Sequence, residues 1–185
     1  MANPTKTALI IMTEGVEEIE AITPIDLLRR AGVEVTIASL SAEPRVTGRT
    51  AILLGTDTDL SSVADRLFDL LVLPGGPGVR HLRASAAVIG ITQRHAAAGR
   101  LVGAICAAPT VLKDAGLLEG VDHTAHFSVE DELPAIRKDV PVVRQGNIIT
   151  SRGAGTAVPF GLALISALVD DATAKKVADS ICYPH

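Results

Sequence analysis

Short aliphatic runs, each broken by a turn and followed by a stretch of helical length, set the limits on what this chain can fold into. Ala-Leu-Ile-Ile-Met at 8–12, Leu-Phe-Asp-Leu-Leu-Val-Leu at 67–73 and Leu-Val-Gly-Ala-Ile at 101–105 are nearly continuous in apolar residues. Runs of this length without polar alternation read as strands buried on both faces. Val-Glu-Val-Thr-Ile-Ala-Ser-Leu at 33–40 reads as a further strand. Helices are expected over 17–31, 60–66, 84–98, 108–115, 156–169 and 172–181. Gly32, Gly99 and Gly116 stand where glycines close helices. Pro24 falls inside the first helix and is expected to kink or divide it. Residues 45–54 are irregular and suggest an edge strand or hairpin, and Gln145-Gly146-Asn147 marks a hairpin within 140–150. Strand and helix alternate, so the expected class is α/β, with a mostly parallel central sheet between helical layers.

At 185 residues, without repeat or linker, one domain over 1–185 is expected. Hydrophobic residues make 48% and charged residues 21%, which excludes a disordered chain. A formal net charge of -4 argues against nucleic acid and anionic lipid as partners. Four aromatics in all leave no stacking platform for single strands. Cys106 and Cys182 are too few for a disulfide scaffold and fit reduced thiols. No stretch has the length of a membrane span, and the apolar run after Met1-Ala2-Asn3-Pro4 is too short for a signal peptide. A cytoplasmic protein is expected.

In such sheets, sites form beyond the carboxyl ends of strands. Cys106 meets that condition best. Gly103-Ala104-Ile105-Cys106-Ala107-Ala108-Pro109 reads as strand, sharp turn, helix, with small residues flanking the thiol as a nucleophile elbow requires. A helix N-terminus there would favour the thiolate, although a small buried Cys is also an ordinary core residue. Gly75 and Gly76 follow another strand, and the Gly76 and Ala107 N–H groups can form an oxyanion hole; the lysine signature of a P-loop is missing. Glu17, Glu18 and Glu20 follow the first strand. Solvated capping is the plain reading for at least two of them, and one turned inward beside the thiol would have a raised pKa. His126 is placed near a strand end as base or proton shuttle. His123 and His126 alone make a weak zinc pattern, and neither metal nor cofactor is expected. Cys182 reads as a bystander. The turn Ser151-Arg152-Gly153-Ala154-Gly155-Thr156 can hold an anion at a helix start or be capped by Thr156. Arg30 and Arg49 read as surface charge or as an anion pocket, with surface the better reading from sequence alone.

Taken together, Glu14-Gly15-Val16-Glu17-Glu18-Ile19-Glu20, Leu73-Pro74-Gly75-Gly76, Ala104-Ile105-Cys106-Ala107-Ala108-Pro109 and Thr150-Ser151-Arg152-Gly153-Ala154-Gly155-Thr156 resemble the ThiJ/PfpI superfamily, in the branch of the parkinsonism-associated protein deglycase. The resemblance covers nearly the whole chain. It implies a flavodoxin-like three-layer α/β sandwich and a homodimer. It implies Cys106 as nucleophile, Glu20 as the carboxyl on its sulfur, His126 as the nearby histidine, Gly76 and Ala107 as backbone donors, and Arg30 and Arg49 as cations near the interface and pocket. Ala107 stands where the protease-like branch has His, which disfavours a peptidase. Glu20 stands where the isocyanide hydratase branch has Asp, which disfavours that reaction. Ala154 replaces the usual Pro, and the chain ends at Tyr183-Pro184-His185 without a longer C-terminal packing element. The implied activity is cofactor-free conversion of 2-oxoaldehydes such as methylglyoxal and glyoxal, or of glycated side chains, to 2-hydroxy acids through a Cys106 hemithioacetal. The competing expectation is an oxidative-stress sensor or chaperone acting through oxidation of Cys106. A glutaminase-type amidase would want an orienting partner for His126, and none is evident in the sequence.

Overall fold

The structure, a computed structural model, describes residues 5–184. Met1–Pro4 and His185, on which the leader and chain-end expectations partly fall, lie outside the described residues. A seven-stranded sheet runs in the order β5-β2-β1-β6-β7-β9-β8. Its strands are β1 (Thr7–Met12), β2 (Glu34–Ser39), β5 (Thr58–Asp59), β6 (Leu70–Leu73), β7 (Leu101–Ile105), β8 (Val142–Gln145) and β9 (Ile148–Ser151). All neighbours are parallel except the β8/β9 hairpin, which turns at Gly146. The irregular stretch forms a separate antiparallel pair, β3 (Arg45–Thr47) with β4 (Leu53–Gly55).

Side chains alternate across the sheet, as strand geometry requires. Ala8, Ile10 and Met12 enter one apolar cluster with residues of α1 (Glu18–Arg30), α5 (Ala157–Leu168) and α6 (Asp171–Ser180). Leu9 and Ile11 enter the other, with α2 (Val79–Ala84), α3 (Ala86–Ala97) and α4 (Pro109–Asp114). The result is the flavodoxin-like three-layer arrangement.

Several boundaries differ from the sequence reading. Pro24 does not divide α1, which is continuous from Glu18 to Arg30; its ring is buried and it offers no N–H to the Glu20 carbonyl. The expected helix over 60–66 is a single 3₁₀ turn, Leu60–Ser62. The expected strand over 67–73 begins only at Leu70, because the Phe68 N–H donates to His95 Nε2 (3.0 Å) instead of to a neighbouring strand. The helix expected over 84–98 is α3, which starts at Ala86 where the Ser85 side chain caps it, and a further helix, α2, precedes it where none was expected.

The chain leaves β1 for β2 on one side and later returns to β6 on the other, so the order reverses beside β1. Crevices form at such reversals, beyond the carboxyl ends of the strands. The turns after β1, β6, β7 and β9 all meet there.

Candidate active site

Cys106 joins β7 to α4 with φ 66, in the left-handed region that side chains avoid at a cost of ~1–2 kcal/mol. Two backbone hydrogen bonds hold it there. Its N–H donates to the Ser151 carbonyl (2.9 Å), and its own carbonyl accepts the His126 N–H (2.8 Å). The elbow is thus tied to β9 on one side and to the His126 loop on the other. The thiol is half-buried and receives the Gly76 and Ala107 N–H groups.

Glu20 is 1% exposed and meets the same sulfur. Its Oε2 accepts the Gly75 N–H at 3.0 Å. Gly75 is required by close approach: a Cβ there would lie 2.6 Å from the Cys106 Cβ and overlap the Glu20 carboxyl. Gly76 has φ +95, which turns the strand end so that its N–H reaches the thiol.

Burial pushes the Glu20 carboxyl up to about 7, helped by the nearby Glu17 charge. The Cys106 hydrogen bond, the Gly75 N–H and the Arg49 charge oppose that rise. Burial, then the Glu20 carboxylate, pushes the Cys106 thiol up to about 12 against the two N–H donors. The expectation that a helix N-terminus would make the thiol acidic is therefore corrected. Burial and the Glu20 carboxylate raise the thiol more than the two backbone N–H donors lower it. The thiol and carboxyl act as one unit, in which a proton on Glu20 removes the charge that opposes a thiolate.

The other two glutamates also differ from the solvated caps expected of them. Glu17 and Glu18 are each 7% exposed. Glu17 caps α1 by accepting the Glu20 N–H (2.8 Å), which fixes the first turn and aims Glu20 inward. Glu18 accepts from the Thr50 N–H (2.8 Å) and hydroxyl (2.6 Å), which clamps the β3–β4 turn to α1.

His126 lines the cavity over Cys106. It lies in a loop before a 3₁₀ turn, Phe127–Val129, rather than at a strand end. Its Nδ1 accepts the Ser128 N–H (3.2 Å) and meets the Ser128 hydroxyl (2.8 Å), which places the proton of the neutral ring on Nε2. Ser128 is thus an orienting partner that the sequence did not reveal. A methyl group at Gly153 would contact both the His126 ring and Glu20, so histidine and carboxyl flank one point.

The cavity has a volume of about 440 Å³. Cys106, Glu20, His126, Gly76, Ala107 and Arg49 all line it. Arg30 does not. It pairs with Asp26 (2.7 Å) on an exposed face at the far end of α1, ~15 Å along the axis from Glu20. It therefore does not reach the cavity of its own chain. Arg80, Arg83, Thr110 and Ser128 line the cavity without having been singled out from sequence. The available signal was two arginines on the short α2, just past the β6 glycine turn. Cys182 is exposed and apart from the site. Thr156 does not cap α5; its hydroxyl accepts the Gly153 N–H (3.1 Å) within the preceding 3₁₀ turn. Among the described residues no group of three His, Cys, Asp or Glu is placed to hold a metal, and no helix is long and apolar enough to cross a membrane.

This elbow, carboxyl and glycine turn have relatives. Residues 6–167 match the profile of the DJ-1/PfpI family. Protein dj-1beta of Drosophila melanogaster is 38% identical over 98% of this chain and 99% of its own. A Caenorhabditis elegans protein described as glutathione-independent glyoxalase DJR-1.2 is 37% identical over 96% of each chain. Among solved structures, oxidized Toxoplasma gondii DJ-1 superposes with a TM-score of 0.94 at 35% identity, over 98% of this chain and all of the other. The chain belongs to the DJ-1/PfpI family.

Proposed function

We propose that the protein is a glutathione-independent glyoxalase in which Cys106 is the nucleophile. One observation carries the reading: a buried carboxyl, Glu20, hydrogen-bonded to a strained, half-buried thiol on which two backbone N–H groups converge. The C. elegans relative described as a glyoxalase supports it. With the proton on Glu20, the Cys106 thiolate attacks the aldehyde carbon of a 2-oxoaldehyde. A C–S bond forms, and the carbonyl electron pair becomes an oxyanion held by the Gly76 and Ala107 N–H groups. Glu20 gives its proton to that oxygen; Glu20, now a carboxylate, or His126 then carries the proton of that carbon to the neighbouring ketone carbon, while the hydroxyl proton passes to the ketone oxygen. The first carbon is oxidised to a thioester and the second reduced to an alcohol, so no external oxidant is needed. Water attacks the thioester, the C–S bond breaks, and a 2-hydroxy acid leaves (lactate from methylglyoxal). Early glycation adducts present the same carbons, and action on glycated side chains is the deglycase variant of this reading.

Ile19 and Ile22 on α1, and Ile52 and Leu53 on the hairpin whose turn Glu18 clamps to that helix, are all exposed. This apolar patch supports a homodimer as the working form.

The test is lactate formation from methylglyoxal, without glutathione or metal, by wild type, Cys106→Ala and Glu20→Gln. Many turnovers in wild type, none in Cys106→Ala and a fall of ~10²-fold or more in Glu20→Gln are expected. Absence of turnover in wild type overturns the reading. A stress sensor acting through Cys106 oxidation is the second reading, favoured by the oxidized state of the T. gondii relative. It requires stoichiometric, selective oxidation of Cys106 by low peroxide and no turnover.

A further inference from the structure

The cavity over Cys106 is larger and more cationic than a small neutral aldehyde needs. Its volume of about 440 Å³ falls within the ~300–1,000 Å³ typical of sites for drug-sized ligands. A molecule of a few heavy atoms bound at the sulfur would leave most of that space to water.

Three arginines line the cavity. Arg83 is already neutralised by Asp114 (2.6 Å) and Glu132 (2.8 Å). Arg49 and Arg80 are not: among the described residues neither has a carboxylate within ion-pair distance. Arg80 is exposed, and its one side-chain hydrogen bond runs from Nε to the adjacent His81 ring (3.3 Å). Its two terminal amino groups have no partner among the described residues. The carboxyls on the cavity wall, Glu17 and Glu20, are buried at its floor and engaged with the start of α1 and the β6 turn. A substrate held by its aldehyde at Cys106 therefore has carboxyls beneath its reacting end, Arg49 within the field of Glu20, and the guanidinium of Arg80, which has no carboxylate partner among the described residues, at the exposed side of the cavity.

We propose that Arg80, together with Arg49, forms an anion-binding lip on this cavity, so that the preferred substrate is a 2-oxoaldehyde carrying a carboxylate or phosphate at its far end. The identity of the reacting group rests on the glyoxalase reading; the anion site does not. The guanidinium fork suits both anions, each of which it can bind with two parallel hydrogen bonds.

Alkylation of the two cysteines separates the two ideas. Iodoacetate and iodoacetamide differ chiefly in charge, and the exposed Cys182 serves as an internal standard in the same molecule. In wild type, the iodoacetate-to-iodoacetamide rate ratio at Cys106 should exceed that at Cys182 on the order of tenfold. In Arg80→Gln the Cys106 ratio should fall severalfold, as it should in wild type at high salt. Equal ratios at the two cysteines, or no change in Arg80→Gln, overturn the anion site. A second arm compares kcat/KM for 4,5-dioxovalerate and for hydroxypyruvaldehyde phosphate with that for methylglyoxal. A preference for one or both anions that shrinks in Arg80→Gln is expected, and the better of the two identifies the anion. If wild type turns over none of the three, the glyoxalase reading fails while the alkylation ratios still decide the lip.

Discussion

Glu20 and Cys106 titrate as a pair, and that governs what single substitutions do. Cys106 alkylation by a neutral reagent should rise through an inflection near pH 7, where the coupled pair loses its first proton and a state with the thiolate beside a protonated Glu20 becomes available, rather than near an ordinary thiol value. Glu20→Gln should remove that inflection; an unchanged profile would show that the carboxyl does not control the thiol. The same shift has a sign for stability. A carboxyl raised from 4.5 to about 7 binds its proton more tightly folded than unfolded, so its contribution is full below pH 4.5 and lost as pH rises through 7. Chemical denaturation should therefore find Glu20→Gln less sensitive than wild type to pH between 5 and 8. Gly75→Ala should cost activity by ~10²-fold or more, because the added methyl overlaps both partners of the pair. Kinetics beside a circular dichroism check of folding would measure it. The elbow cysteine was legible from its small neighbours and its place after a strand. Its strained φ and the raised thiol were not, because both depend on contacts with β9, β6 and α1.

Secondary elements deliver these groups, and one ion cluster holds them together. Arg83 on α2 bonds Asp114 at the end of α4 and Glu132 in the loop that follows His126. Its side chain and that of Asp114 are each 30% exposed, so the cluster is worth ~1 kcal/mol rather than the value of a buried pair. Arg83→Met should lower stability by about that amount and speed hydrogen exchange over residues 126–137. Unchanged exchange there would mean that the loop is held without it. The aliphatic strands were legible because both their faces are buried. The helix α2 was not. It follows a run of Pro and Gly, and its polar side chains Arg80, His81 and Arg83 show no clear apolar face, so residues 79–83 carried no helical signal. His126 was misplaced at a strand end for a related reason: the loop around it takes its shape from Ser128 and the Cys106 carbonyl, not from local periodicity.

At the scale of the molecule, the exposed isoleucines of α1 and the β3–β4 hairpin leave one apolar face to be covered. Ile22→Asp with Ile52→Asp should convert a dimer to a monomer in sedimentation at micromolar concentration. A wild-type monomer, or a dimer that tolerates both charges, would exclude this face. The clamp of Glu18 on Thr50 ties that face to the start of α1, two residues from Glu20. Loss of the dimer is therefore expected to reduce activity as well.

By itself the sequence determined the layered fold and the elbow. Strands apolar on both faces must lie between two helical layers, and a cysteine between small residues after such a strand must project at its carboxyl end. Only the tertiary structure decided which neighbours that cysteine has. Glu17, Glu18 and Glu20 are chemically alike in the sequence. The cap at Glu17 and the ~100° turn per helical residue send one carboxyl to the sulfur and another to Thr50. Arg80 enters the cavity and Arg30 does not, because α2 begins at the crevice and α1 ends far from it. Such choices rest on segments distant in sequence meeting beyond the carboxyl ends of the strands, and no local pattern encodes that meeting.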